Sequence, residues 1–212
     1  MTFGREDQFM FVIAVTGGIG SGKTTATRHF HSKGAVVIDL DEIAHRLLEP
    51  GSRPYAQVVE AFGPTVLDEQ GRVDRRALAR EAFGSRESCT RLNHIMHPAV
   101  MREVLPSLVD LRLLAEPPKV VVLEVPLLVE APAFAQSADA VVAVSAEHEL
   151  RVKRCIAFGR SEDDTRARMA CQASDAEREA LADRTIVNEG SLEDFIEALD
   201  RFWEEVVTPG AA

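Results

Sequence analysis

Gly17-Gly18-Ile19-Gly20-Ser21-Gly22-Lys23-Thr24 follows the pattern G-x-x-x-x-G-K-[ST]. Only backbone can wrap a polyphosphate this closely, because side chains would collide with it; glycine removes Cβ and opens φ values that other residues avoid. Successive N–H groups then converge into an anion nest, and a helix starting just after the loop adds the positive end of its dipole. The spacing predicts nucleotide contacts from Gly18, Ile19, Gly20, Ser21, Gly22, Lys23, Thr24 and Thr25. The Lys23 ammonium is expected at the β- and γ-phosphates and the Thr24 hydroxyl at Mg²⁺, which makes ATP with Mg²⁺ the expected co-substrate.

Phosphoryl transfer to an alcohol also needs a neutralised phosphate and an acceptor for the alcohol proton. Open α/β sheets bind ligands at the carboxyl ends of their strands, so carboxylates there are the candidates. Asp39 ends one apolar run, Asp41 follows it, and Glu124 lies near the end of Val121-Val122-Leu123-Glu124-Val125. Asp39 is the expected proton acceptor and orienter of the hydroxyl. Glu124, with Asp41 as a further candidate, is expected to act on Mg²⁺ through bound water. The competing roles are a helix N-cap for Asp39 and a buried, paired carboxylate for Glu124. Asp68-Glu69-Gln70-Gly71 spells the D-x-x-G of a switch GTPase, but no strong strand precedes it and the chain has no N-K-x-D segment, so it reads as a solvated turn. On these residues alone, a nucleotide-binding module without catalysis and kinases for other small hydroxyl compounds stay open.

The elements that must position these groups are legible as five short β-branched runs: 11–16, 35–39, 120–125, 140–145 and 185–187. Each is nearly continuous rather than alternating, which suits strands of a parallel sheet covered on both faces. Helices are expected over 24–33, 41–48, 75–83, 88–96, 98–114, 147–158, 161–173 and 192–207. Alternation of strand and helix implies an α/β doubly wound fold of three layers, with a five-stranded parallel sheet. One domain, 10–212, is expected: a core of 10–54, 118–146 and 179–207, a helical subdomain at 55–117 and an Arg-rich segment at 147–178, preceded by an extension at 1–9. The two insertions suit an acceptor-binding subdomain and a lid; ordinary surface helices are the alternative. A net charge of −10 offers no footprint for nucleic acid. The run Met10 to Val15 is too short for a membrane span. Cys89, Cys155 and Cys171 form no C-x-x-C pair and read as reduced thiols of a cytoplasmic protein.

In order along the chain, Val15 to Thr24, Val37-Ile38-Asp39-Leu40-Asp41-Glu42-Ile43-Ala44, Gly71 to Leu78, His97-Pro98, Pro126 to Glu130, Gln172, Ala182-Asp183 and Ile186 to Gly190 resemble the dephospho-CoA kinase family. The resemblance extends from Ile13 to about Leu199. It implies ATP and dephospho-CoA as substrates and phosphorylation of the ribose 3′-hydroxyl, the last step of coenzyme A synthesis. Asp39 matches the family's catalytic carboxylate, with Lys23, Arg154 and Arg160 completing the catalytic set. Asp41, His97, Pro98, Leu127 and Glu130 fall on the acceptor side, and Asn188 to Gly190 near the adenine. No nucleic-acid or membrane partner is implied, and a monomer is favoured. The chain departs from the pattern at His45, where Arg is usual and neighbouring Arg46 could compensate, at Leu40 for Ala, and at Glu124 for Asp.

Overall fold

The computed structural model describes residues 10–210, so the expected extension at 1–9 lies outside the described residues. Phe11–Gly17 is buried at every position, as an unbroken apolar run is when both faces are covered. This strand, β1, lies at the centre of the sheet. It pairs in parallel with Val120–Glu124 (β3) on one side and Ala140–Ser145 (β4) on the other. Val36–Asp39 (β2) and Arg184–Val187 (β5) add to the two edges, giving the order β2-β3-β1-β4-β5, all parallel. The five expected strands are all present.

The period of two along the strands divides the core. Phe11, Ile13 and Val15 pack with Phe30 of Lys23–Ser32 (α1) and with Phe195, Leu199 and Phe202 of Leu192–Phe202 (α10). Val12 and Ala14 face the other layer, formed by Leu40 and Ile43 of Leu40–Arg46 (α2), Val100, Val104 and Leu108 of a long helix, and Phe134 of Ala133–Gln136 (α6). Truncating the fully buried Leu123 to Ala would cost about 2–5 kcal/mol. A third, smaller core of Val58, Val66, Leu78, Ala82 and Met96 holds Arg53–Phe62 (α3) and Arg75–Ala82 (α4) together.

The long helix corrects the sequence expectation. Helices over 88–96 and 98–114, divided before Pro98, are one helix, Arg86–Arg112 (α5), with Pro98 and Pro106 inside it. Proline removes a backbone donor at a cost of about 3 kcal/mol. Burial of Val100, Val104 and Leu108 against the sheet favours continuing the helix in spite of that cost. The Arg-rich segment contains His148–Ala157 (α7), Glu162–Cys171 (α8) and a helix absent from the sequence expectation, Asp175–Leu181 (α9). A reciprocal capping box between Ser174 and Glu177 starts α9. The three cysteines are free, and among the described residues no helix is long and apolar enough to cross a membrane.

Candidate active site

The loop between β1 and α1 closes on itself. Lys23 is buried, and its ammonium donates to the carbonyls of Gly17 and Gly18 at 2.9 and 3.1 Å. Burial lowers its pKa, against the opposing pull of Glu124 and then Asp41. Gly20 has φ +78°, and a Cβ there would stand 2.6 Å from the Arg151 carbonyl oxygen, so no other residue fits. Ile19 N–H donates to Gln172 Oε1 at 3.3 Å, and Ser21 O accepts from Asn188 Nδ2 at 2.7 Å. The loop is therefore braced from α8's end on one side and from β5's end on the other.

Behind Gly18 stands a cluster that sequence reasoning missed. Asp175 bridges two buried guanidiniums, accepting from Arg151 Nη2 at 2.7 Å and from Arg178 Nη1 at 2.9 Å. A Cβ on Gly18 would run into the Arg151 guanidinium. Both arginines lie close enough to Lys23 to depress its pKa further, and burial lowers that of Arg178. Beside the anion loop, the two guanidiniums are offset by Asp175 and, through its charge on Arg178, by Glu130. The signal was present in the Ser174–Glu177 capping box, which announces a helix carrying Arg178 one turn in.

The carboxylates divide. Glu124, buried at the end of β3, accepts from Thr24 Oγ1 at 3.1 Å and from Thr27 Oγ1 at 2.9 Å. Among the described residues no cluster of three or more His, Cys, Asp or Glu could hold a metal by itself. The donor set still fits Mg²⁺, which is usually held by one or two protein oxygens together with substrate phosphates and waters. Asp39 Oδ1 caps α2, accepting from the N–H groups of Asp41 and Glu42 at 2.8 and 3.1 Å, and Asp39 lines an outer groove with Arg46, Asp110 and Leu114. The strand-to-helix turn makes Asp39 the N-cap of α2, the competing role that its sequence position offered. Asp41, in the first turn of α2, lines a cavity of about 440 Å³. Burial holds its carboxyl above the usual range, as does Asp39's charge, while Lys23, His45 and Arg160 pull it down.

The cavity is bounded by apolar Leu40, Leu78, Phe83, Met96 and Phe134, with Leu127 and His97 also in its walls. Burial lowers the His97 pKa. Pro98 is exposed on α5 and does not line the cavity. Glu130 is likewise absent from the lining; its Oε1 accepts from Ala173 N–H at 2.9 Å and so anchors the turn that carries Gln172. The two expected lid arginines part company. Arg160 lines the cavity, whereas Arg154 donates to Asn188 Oδ1 at 3.4 Å beside the loop. Gly190 is exposed at the turn into α10. Of the two candidates for the departure at position 45, His45 lines the cavity and Arg46 the outer groove.

Four buried side-chain polar atoms lack a hydrogen-bond partner among the described residues: Thr16 Oγ1, Ser21 Oγ, His97 Nε2 and Arg154 Nη1. Thr16 and Ser21 lie at or in the loop, Arg154 beside it, and His97 on the cavity wall. Such orphans are rare in folded proteins, and ordered water or a bound ligand would satisfy them.

The family model for dephospho-CoA kinase matches residues 11–194. A dephospho-CoA kinase of Corynebacterium diphtheriae is 42% identical over 94% of this chain and 98% of its own length. The dephospho-CoA kinase of Mycobacterium bovis is 41% identical over 95% of this chain, which spans about half, 49%, of that relative. The crystal structure of TT1252 from Thermus thermophilus superposes with a TM-score of 0.71 at 35% identity, covering 92% of this chain and 97% of that one. On these matches the chain belongs to the dephospho-CoA kinase family and has the P-loop kinase fold that its sheet order and phosphate loop describe.

Proposed function

We infer that the chain transfers the γ-phosphoryl group of ATP to the ribose 3′-hydroxyl of dephospho-CoA, giving CoA and ADP. The observation that carries this reading is Asp41, with its raised pKa, lining a roomy cavity beside the Lys23 loop in a chain of this family. Asp41, rather than Asp39, takes the hydroxyl proton. The freed oxygen attacks the γ-phosphorus, and the bond from that phosphorus to the β–γ bridging oxygen breaks as ADP leaves. A carboxylate with a raised pKa is the better base near neutral pH. Lys23 and the loop N–H groups hold the triphosphate in line, and the buried Arg151–Asp175–Arg178 cluster supports Gly18 from behind. Thr24 and Glu124 would hold Mg²⁺, which when bound neutralises phosphate charge.

Residues 147–178 act as the lid and 55–117 as the acceptor-binding subdomain. Arg154 and Asn188 serve the nucleotide side, and Arg160, His97 and Leu127 the acceptor side. Closure excludes water, which otherwise competes with the alcohol for the γ-phosphate. The test is ADP release with ATP and Mg²⁺ in the presence and absence of dephospho-CoA. Release dependent on dephospho-CoA is expected. Equal release without it makes the chain an ATPase and refutes the reading.

A further inference from the structure

Gln172 closes α8 and belongs to the motif pattern of the sequence, yet phosphoryl transfer as described above gives it no part. Its side chain reaches the phosphate loop. The amide oxygen, Oε1, accepts from Ile19 N–H at 3.3 Å, across 153 positions of sequence, and from Arg178 Nη2 at 3.4 Å. Arg178 is itself buried and tied to Asp175. Two of the donors expected at the phosphates therefore sit on neutral carbonyl oxygens. The Lys23 ammonium is on those of its own loop, Gly17 and Gly18, but Ile19 N–H is on a side chain from the Arg-rich segment.

Neither partner needs this contact to keep its place. Around Gln172, Ala173 N–H donates to Glu130 Oε1 at 2.9 Å, and the Cys171 carbonyl accepts from Cys89 Sγ at 3.7 Å. In the loop, Ser21 O is held by Asn188, Lys23 by two carbonyls, and Gly20 lies against the Arg151 backbone. Gln172 can thus leave the loop by rotating about its side-chain bonds while both backbones stay. An amide N–H carries one hydrogen, so a phosphate oxygen and Gln172 Oε1 compete for it. The contest is unequal, because hydrogen bonds to an ionised acceptor are roughly twice as strong as neutral ones. The Lys23 ammonium in the same loop favours the anion further.

We propose that Gln172 is an autoinhibitory stand-in for a phosphate oxygen: it holds Ile19 N–H and Arg178 Nη2 until the triphosphate displaces it, and so sets how tightly the loop takes its nucleotide. The proposal rests on the loop being the ATP site and is independent of the acceptor's identity. Every nucleotide that binds must break two neutral hydrogen bonds, which lowers its affinity. Removing the side chain removes that cost and leaves both donors for the phosphate. A carboxylate at position 172 does the reverse: it pairs with Arg178, holds Ile19 N–H more strongly and repels the incoming charge. A side chain that only props the loop predicts the opposite order, since a near-isosteric carboxylate keeps both contacts and an alanine loses both.

The experiment is isothermal titration calorimetry on the full chain with ATP and Mg²⁺ and no acceptor, alongside thermal melting of each variant. Gln172→Ala is expected to bind ATP roughly 3- to 10-fold more tightly than the wild type, the low end for two neutral hydrogen bonds. Gln172→Glu should bind it at least roughly tenfold more weakly. Gln172→Asn keeps the amide but is one methylene short of the loop, so it should follow Gln172→Ala and replaces it should that variant not melt cooperatively. Weaker binding in Gln172→Ala or Gln172→Asn, unchanged binding in both, or wild-type affinity in Gln172→Glu overturns the proposal while leaving the ATP site intact. A wild type that takes up no ATP overturns the reading of the loop as well.

Discussion

Asp39→Asn and Asp41→Asn, compared side by side, separate a helix cap from a catalytic base. The two carboxylates are two residues apart, and only Asp41 lines the cavity beside Lys23. Loss of a group that accepts a proton in the transition state costs typically ~10²–10⁴-fold in rate, so Asp41→Asn should lower kcat by that factor. ATP affinity should hold or improve, because a negative charge beside the phosphates is removed while Lys23 keeps its carbonyl partners at Gly17 and Gly18. Asn caps a helix about as well as Asp, so Asp39→Asn should change stability by less than about 0.5 kcal/mol and kcat by less than about tenfold. Asp39→Ala loses the two N–H contacts to Asp41 and Glu42, and should cost about 1 kcal/mol by loosening the turn that presents Asp41. Stopped-flow or coupled kinetics with thermal melting of each variant reads all three. A loss of ~10²-fold or more in Asp39→Asn, with Asp41→Asn close to wild type, would refute the assignment.

Gly20→Ala places a Cβ 2.6 Å from the Arg151 carbonyl at φ +78°, and calorimetry should find ATP affinity down by at least about tenfold; normal affinity would mean the loop is not held as described. Transfer needs Asp41 deprotonated, so kcat should fall as pH falls through its raised pKa. Because Asp39's charge contributes to that rise, Asp39→Asn should move this acid limb to lower pH, and a shift to higher pH would contradict the sign. Cys89, its thiol pushed up to about 12 by burial and by Cys171, should stay unalkylated by iodoacetamide near neutral pH in the folded protein, and rapid labelling would count against its placement.

The phosphate loop was legible because its constraint is local: glycine spacing, a preceding strand and a following helix all lie within one short segment. The sheet was legible for a similar reason, since a strand covered on both faces must be apolar throughout. Asp39 and Asp41 were not separable in sequence, because the choice depends on φ and ψ at one turn; Asp39 is extended, at −86° and 109°, and so becomes the cap. The division at Pro98 failed because burial of Val100, Val104 and Leu108 outweighs a single lost backbone donor. The Arg151–Asp175–Arg178 cluster joins two helices separated by α8, a pairing that no periodicity reports. Glu130 sits within a recognisable motif, yet which way its carboxylate turns is set by a contact distant in sequence, the Ala173 N–H that it accepts.

The measurement that tests the central claim most directly is the identity of the phosphorylated product. Purified protein with ATP, Mg²⁺ and dephospho-CoA should yield a product heavier by one phosphoryl group, with phosphorus NMR placing a new monoester on the ribose 3′-oxygen. A product phosphorylated elsewhere, or unchanged dephospho-CoA beside accumulating ADP, would contradict the placement of the acceptor hydroxyl at Asp41.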